Sequence, residues 1–185
     1  MRLSKALWIA VLTASAMAAE EVVVDFENAT VFLAEKKANR VPSYEEKGVI
    51  FTPAHDPKQT RGKALLMFFP NLSNGHKGIG SAMATESIPV RATFPGPVSA
   101  VEVKFWGSTG VPALLEAFDT AGKVVDQASL DAAPARKAPG DPTPVFTLKV
   151  SGPRIAYVQF SGPREGEYLV ADEIRFAPVS EGATK

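Results

Sequence analysis

Four acids stand near the two ends of the chain: Asp25 and Glu27 close to its start, Asp172 and Glu173 close to its end. Calcium binds six to eight oxygens at about 2.3–2.6 Å, from carboxylates and loop carbonyls, and a bound ion offsets the repulsion between crowded carboxylates. If the first and last strands of a sandwich come together, these four acids are the expected metal ligands and a structural calcium ion the expected cofactor. The same acids also read as solvated strand-end charges, or as partners of Arg154 and Arg175.

A second set of residues has the chemistry of ligand binding. Trp106 ends an alternating run beside Gly107, on the face shared with Glu102 and Lys104. In that position an indole can serve as a stacking platform for a sugar ring. Tyr44, Arg61, Asn71, Asn74, His76 and Lys77 are the polar candidates around it. The competing reading makes Trp106 a tryptophan covered by a loop and leaves the polar side chains to water.

Catalytic chemistry finds little to work with, and no catalytic residue is expected. The two histidines, His55 and His76, lack metal-ligand spacing, and there is no thiol. His55-Asp56 beside prolines is a turn, and the glycines at 75, 78 and 80 lack the Lys-Ser/Thr that a phosphate loop needs. With 20 acids in the chain, pairs suitable for glycoside hydrolysis can always be chosen, and nothing singles one out. The expectation is a protein that is not an enzyme.

Arg2 and Lys5 precede an apolar run that ends in Ala16-Met17-Ala18. This basic, apolar and small-residue order is that of a secretory signal peptide over residues 1–18, and the run is shorter than the ~20 residues of a membrane span. Cleavage near Ala18 would release a secreted or periplasmic domain over 19–178 with a flexible tail at 179–185. The chain has no cysteine, so a packed core, a bound ion or both must hold it. Lysine plus arginine equal aspartate plus glutamate at 20 each, and losing Arg2 and Lys5 leaves a slight acidic excess. That excludes the basic footprint of a nucleic-acid binder, and no second apolar stretch points to a membrane.

The elements that must carry these residues are strands. Val22-Val23-Val24 acquires alternating acids as it leaves a core for a polar rim. Residues 44–52 form a strand with Gly48 at its kink, and 64–69 a short buried strand ending at Pro70. The glycine- and asparagine-rich stretch 71–81 is loop chemistry. Two alternating strands, 88–94 and 101–106, are linked by Pro95-Gly96-Pro97. Residues 111–127 make a β-hairpin around which the other strands are arranged, with Gly122 at its turn and its first strand inside the sandwich. After a long loop at 131–144, three closing strands at 146–150, 156–160 and 174–176 are separated by two Ser-Gly-Pro-Arg turns. About nine strands without a convincing helix predict an all-β fold: a two-sheet antiparallel β-sandwich of the jelly-roll kind.

Asp25-Phe26-Glu27, Tyr44 with Gly48-Val49-Ile50-Phe51, Glu116-Ala117-Phe118-Asp119, Tyr157-Val158-Gln159-Phe160 and Asp172-Glu173-Ile174-Arg175-Phe176 stand in that order along the chain. In this they resemble secreted bacterial modules of the galactose-binding-like, carbohydrate-binding-module-like jelly-roll class. The resemblance implies a non-catalytic module that binds a glycan or polysaccharide, with a structural calcium where the first and last strands meet. Such modules commonly carry two adjacent aspartates on the last strand; here the pair is Asp172-Glu173, with one longer arm. A structural or adhesive module with a protein partner is the alternative, and an exported hydrolase a more distant one.

Overall fold

The computed structural model describes residues 20–30, 40–54, 65–70, 75–81, 88–107, 110, 112–138, 141, 143–161 and 169–179. The expected signal peptide at 1–18 and residues 180–185 of the expected tail lie outside these. Eleven strands follow in order: β1 (Val22–Val24), β2 (Arg40–Val41), β3 (Tyr44–Glu46), β4 (Val49–Pro53), β5 (Leu66–Pro70), β6 (Lys77–Ser81), β7 (Val90–Gly107), β8 (Ala113–Phe118), β9 (Val124–Leu130), β10 (Phe146–Ser161) and β11 (Leu169–Pro178). All pairings are antiparallel, and no helix occurs among the described residues. The protein is an all-β antiparallel sandwich, as its alternating patterns predict.

Two long strands build both layers. The first half of β7 pairs with β4, its second half with β11, and β10 follows it along both halves. Pro95-Gly96-Pro97 was expected to separate two strands, yet β7 runs through it. Residues 94–97 have no ladder partner, so the prolines give up no pairing N–H there. Opposite them, β10 shifts register between Ser151 and Ile155, so Gly152-Pro153-Arg154 is a bend within one strand and not a turn between two. Strands that bend in this way turn a corner from one sheet to the other. One layer is therefore β3-β4-β7-β10-β8-β9, and the other is β2-β5-β6-β11-β7-β10 with β1 added to β11.

Two further expectations are corrected. Residues 44–52 are a hairpin, not one kinked strand: Lys47 (φ 50°) and Gly48 (φ 77°) make a two-residue turn between Glu46 and Val49, the left-handed pair that matches strand twist. Residues 77–81 are a strand, not a loop. A Cβ on Gly78 would lie 2.5 Å from Val170 Cγ1 and 2.6 Å from the Ala171 carbonyl oxygen, so the glycines mark a strand drawn close against β11.

The hairpin expected at 111–127 forms between β8 and β9, with Ala113, Leu115 and Ala117 buried and Gly122 at φ 78°. Asp119 fixes its turn by accepting from the backbone N–H groups of Ala121 and Lys123, both at 2.9 Å. It is not the organising element, since β9 lies at a sheet edge and β7 joins the layers. One contiguous core fills the space between the layers, with Phe26, Phe51, Phe105, Phe160, Leu115 and Ile174 fully buried. Each such side chain contributes roughly 1.5–3 kcal/mol.

Candidate functional site

The outer edge of β11 is shared. Val24 of β1 pairs with Ile174, and Ile79 of β6 pairs with Ala171. Where one neighbour hands over to the other, β11 bulges. Ala171 faces Phe105 and Glu173 faces Lys104 on β7, so Asp172 is one residue too many for its partner strand. Core parity shows the same shift: Leu169 and Ala171 are buried in the core before the bulge, Ile174 and Phe176 after it. The bulge thus places Asp172 and Glu173 next to each other at the edge, where regular alternation would send one of them into the core.

β1 supplies the opposite wall. Directly after it, Phe26 adopts φ 58°, a left-handed conformation that is uncommon for a bulky residue. It is held there because its ring is fully buried, edge-on to Phe51 at 5.2 Å, while the Ala29 N–H donates to the Phe26 carbonyl at 2.9 Å. The Asp25 carboxylate accepts from the Glu27 N–H at 3.2 Å. With Phe26 turned into the core, Asp25 and Glu27 project outward on either side of it.

Asp25, Glu27, Asp172 and Glu173, all four of the expected acids, line one cavity of about 430 Å³, together with His76, Lys104 and Val145. Their surroundings differ. Glu27 Oε1 lies 3.1 Å from His76 Nδ1, and the backbone carbonyl of Glu27 accepts from Lys77 Nζ. Glu173 Oε1 accepts from Lys104 Nζ at 2.9 Å and from Arg175 Nε. Burial alone would raise the Glu173 carboxyl, but the hydrogen bonds from Arg175 and Lys104 outweigh it and hold the group below its ordinary value. Asp172 is only 7% exposed, and its Oδ1 is buried with no hydrogen-bond partner. Burial raises its carboxyl above the ordinary value, with Glu27 and Glu173 adding to the rise and His76 and Lys104 opposing it.

The cavity is thus a set of oxygen donors, and one of its lining residues, Asp172, has a buried, unsatisfied carboxylate oxygen. A hard cation is the group such an oxygen lacks. As the side chains stand, no three His, Asp or Glu among the described residues are grouped to hold an ion, because Glu173 is turned to Lys104 and Arg175, and Glu27 to His76.

The expected ligand-binding residues do not gather here as a group. His76 is in the cavity. Trp106 is half-buried, perpendicular to Phe69 at 6.3 Å, with a buried Nε1 that has no partner. The Tyr44 ring packs on Phe26, Phe51 and Phe68, and its hydroxyl donates to Glu46 at 2.8 Å. Arg61, Asn71 and Asn74 lie outside the described residues. Lys104 and Val145 are cavity residues that the sequence reading did not single out. Lys104 was noted only as a companion of Trp106 on its strand face, and its position opposite Glu173 depends on a register that no local pattern announces.

No protein-family model matches the chain, and no curated protein does. Its fold has counterparts among solved structures. A cleaved adhesin domain of Lys-gingipain aligns with a TM-score of 0.50 at 13% identity, over 85% of this chain and 99% of that one. Another cleaved adhesin domain of Lys-gingipain, from Porphyromonas gingivalis, gives 0.51 at 12% identity, over 87% and 99%. At such identities the likeness is one of fold.

Proposed function

We propose that this chain is an exported, non-catalytic β-sandwich module that binds carbohydrate, braced by a structural calcium ion between Asp25, Glu27 and Asp172. The supporting observation is the cavity where β1, β6 and β11 meet, lined by Asp172, whose Oδ1 is buried and unpartnered. The ion would supply positive charge to that oxygen and to the outward carboxylates of the Phe26 turn, tying the first strand to the last.

A cavity of about 430 Å³ exceeds the needs of an ion and falls within the roughly 300–1,000 Å³ of small-molecule sites. Its polar walls suit a polyhydroxylated ligand, since carboxylates accept from sugar hydroxyls and an ammonium donates to them. The adhesin domains that share the fold support the reading of a binding module, and the basic–apolar–small start of the chain agrees with export. Galactose-binding-like modules, which the order of short motifs resembles, combine these features.

The second reading, an adhesive module that binds protein, is favoured by the outer edge of β9, where Val124 and Val125 are 40% and 36% exposed. A glycan array probed with the mature chain in calcium separates the two. Binding to one class of sugar is expected; silence across neutral, acidic and amino sugars would turn the assignment to the protein-binding reading. The ion is tested apart from the sugar, by melting with calcium and with chelator. At a hundred times its dissociation constant calcium adds about 2.7 kcal/mol of stability, so the chelated protein should melt at a clearly lower temperature.

A further inference from the structure

The cavity already contains a cation supplied by the chain. Lys104 reaches into it from β7, its ammonium 2.9 Å from Glu173 Oε1. That oxygen also accepts from Arg175, which makes Glu173 the most fully neutralised of the four acids. Asp172, one residue earlier, keeps a buried oxygen without a donor. These neighbours on the bulge are therefore unequal as ligands. Asp172 can accept an ion without breaking any contact of Oδ1, whereas Oε1 of Glu173 must first surrender a charge-assisted hydrogen bond, the stronger kind in proteins.

We propose that Lys104 is a resident cation that sets the calcium affinity of this cavity, competing with the ion for Glu173 Oε1 and repelling it. The inference rests on the calcium reading above and adds a residue to it. Affinity for calcium rises with the number of charged ligands, and an ammonium in the same cavity opposes a divalent ion at short range. Removing Lys104 acts on both counts, since it leaves Glu173 with one partner where it had two and deletes a like charge. The other basic side chains nearby are otherwise engaged: His76 and Lys77 with Glu27, and Arg175 with Glu21 as well as Glu173. Glu173 keeps Arg175 as a partner in the variant, so the strand edge is not left with an isolated charge.

The test is calcium titration calorimetry on the metal-free mature chain, with melting in chelator as the fold control. Lys104→Gln should bind calcium roughly tenfold tighter or more than the wild type. Lys104→Arg, which keeps the charge, should stay at the wild-type level. In the double variant Lys104→Gln, Glu173→Gln the gain should shrink, because the partly freed carboxylate is absent. Lys104→Met, with a similar stem, replaces the glutamine variant if that one does not fold. Wild-type binding matched by the neutral variants would overturn the role of Lys104 and leave the calcium reading standing. Binding by the neutral variants alone would show Lys104 blocking the site outright, in support of the proposal. Absence of binding in every protein would overturn both.

Discussion

At the scale of single residues, Asp172 carries the strongest physical signal in the molecule. A buried carboxylate with an unpartnered oxygen costs free energy unless a cation or a proton satisfies it. Its carboxyl is raised above the ordinary 3.8, first by burial. The folded state therefore binds this proton more tightly than the unfolded chain does. The resulting stability is fully present below the ordinary carboxylate value, and it is lost as pH rises through the raised folded value. In chelator, Asp172→Asn should then be more stable than the wild type at neutral pH, by on the order of 1 kcal/mol, and the gap should close as pH falls toward 4. Urea midpoints measured across that range check this, and a gap that widened toward acid pH would refute it. If calcium binds as proposed, the order should reverse in calcium, because the wild type gains more from the ion.

The four acids were legible in the sequence because their type and their place near both ends sufficed, once the end strands were assumed to pair. The inequality between Asp172 and Glu173 was harder to see, though a trace of it was present. Apolar residues at 169 and 171, then at 174 and 176, change parity across the pair, which is how a bulge appears in sequence. Lys104 left no trace, since its place in the cavity comes from facing Glu173 across two strands far apart in the chain. Trp106 shows the reverse case: a strand-end tryptophan invites a role in stacking, and tertiary packing against Phe69 half-covers it.

At the scale of elements, glycines and prolines were read too uniformly as punctuation. Local chemistry marks a turn at Gly122 correctly because the positive φ is a property of the turn itself. At Gly78 and Gly80 the cause is the approach of β11, and at Pro95 and Pro97 it is a missing ladder partner; both causes are tertiary. The two kinds of glycine should respond differently to alanine. Gly78→Ala places a Cβ 2.6 Å from a backbone oxygen that cannot move alone, so a loss of about 2 kcal/mol or more is expected, within the 1–3 kcal/mol typical of overpacking or above it. Gly96 has open space around its Cβ position and no positive φ, so Gly96→Ala should be neutral or stabilise by up to about 1 kcal/mol. Equal losses at both positions, by urea unfolding, would mean that β6 does not sit as close to β11 as described.

At the scale of the whole molecule, continuity of β7 and β10 across both layers has a mechanical consequence. Neither layer can come apart without breaking a strand that the other shares, so the domain should unfold as one unit in spite of its two sheets. In a chain that starts at residue 19, Trp106 is the single tryptophan, and it sits in the layer that contains β11, opposite Val170. Leu115 lies in the other layer, fully buried on β8 opposite Phe160. Leu115→Ala should cost about 2–5 kcal/mol for a fully buried leucine. If the layers are mechanically joined, that cost must appear at Trp106. Its fluorescence midpoint in urea should fall together with the far-ultraviolet circular dichroism midpoint, and the two curves should superimpose in both proteins. A Trp106 transition that stayed at the wild-type midpoint while the dichroism moved would show the layers unfolding separately. The bends at Pro95-Gly96-Pro97 and Gly152-Pro153-Arg154 would then be hinges between two folding units, and not corners within one.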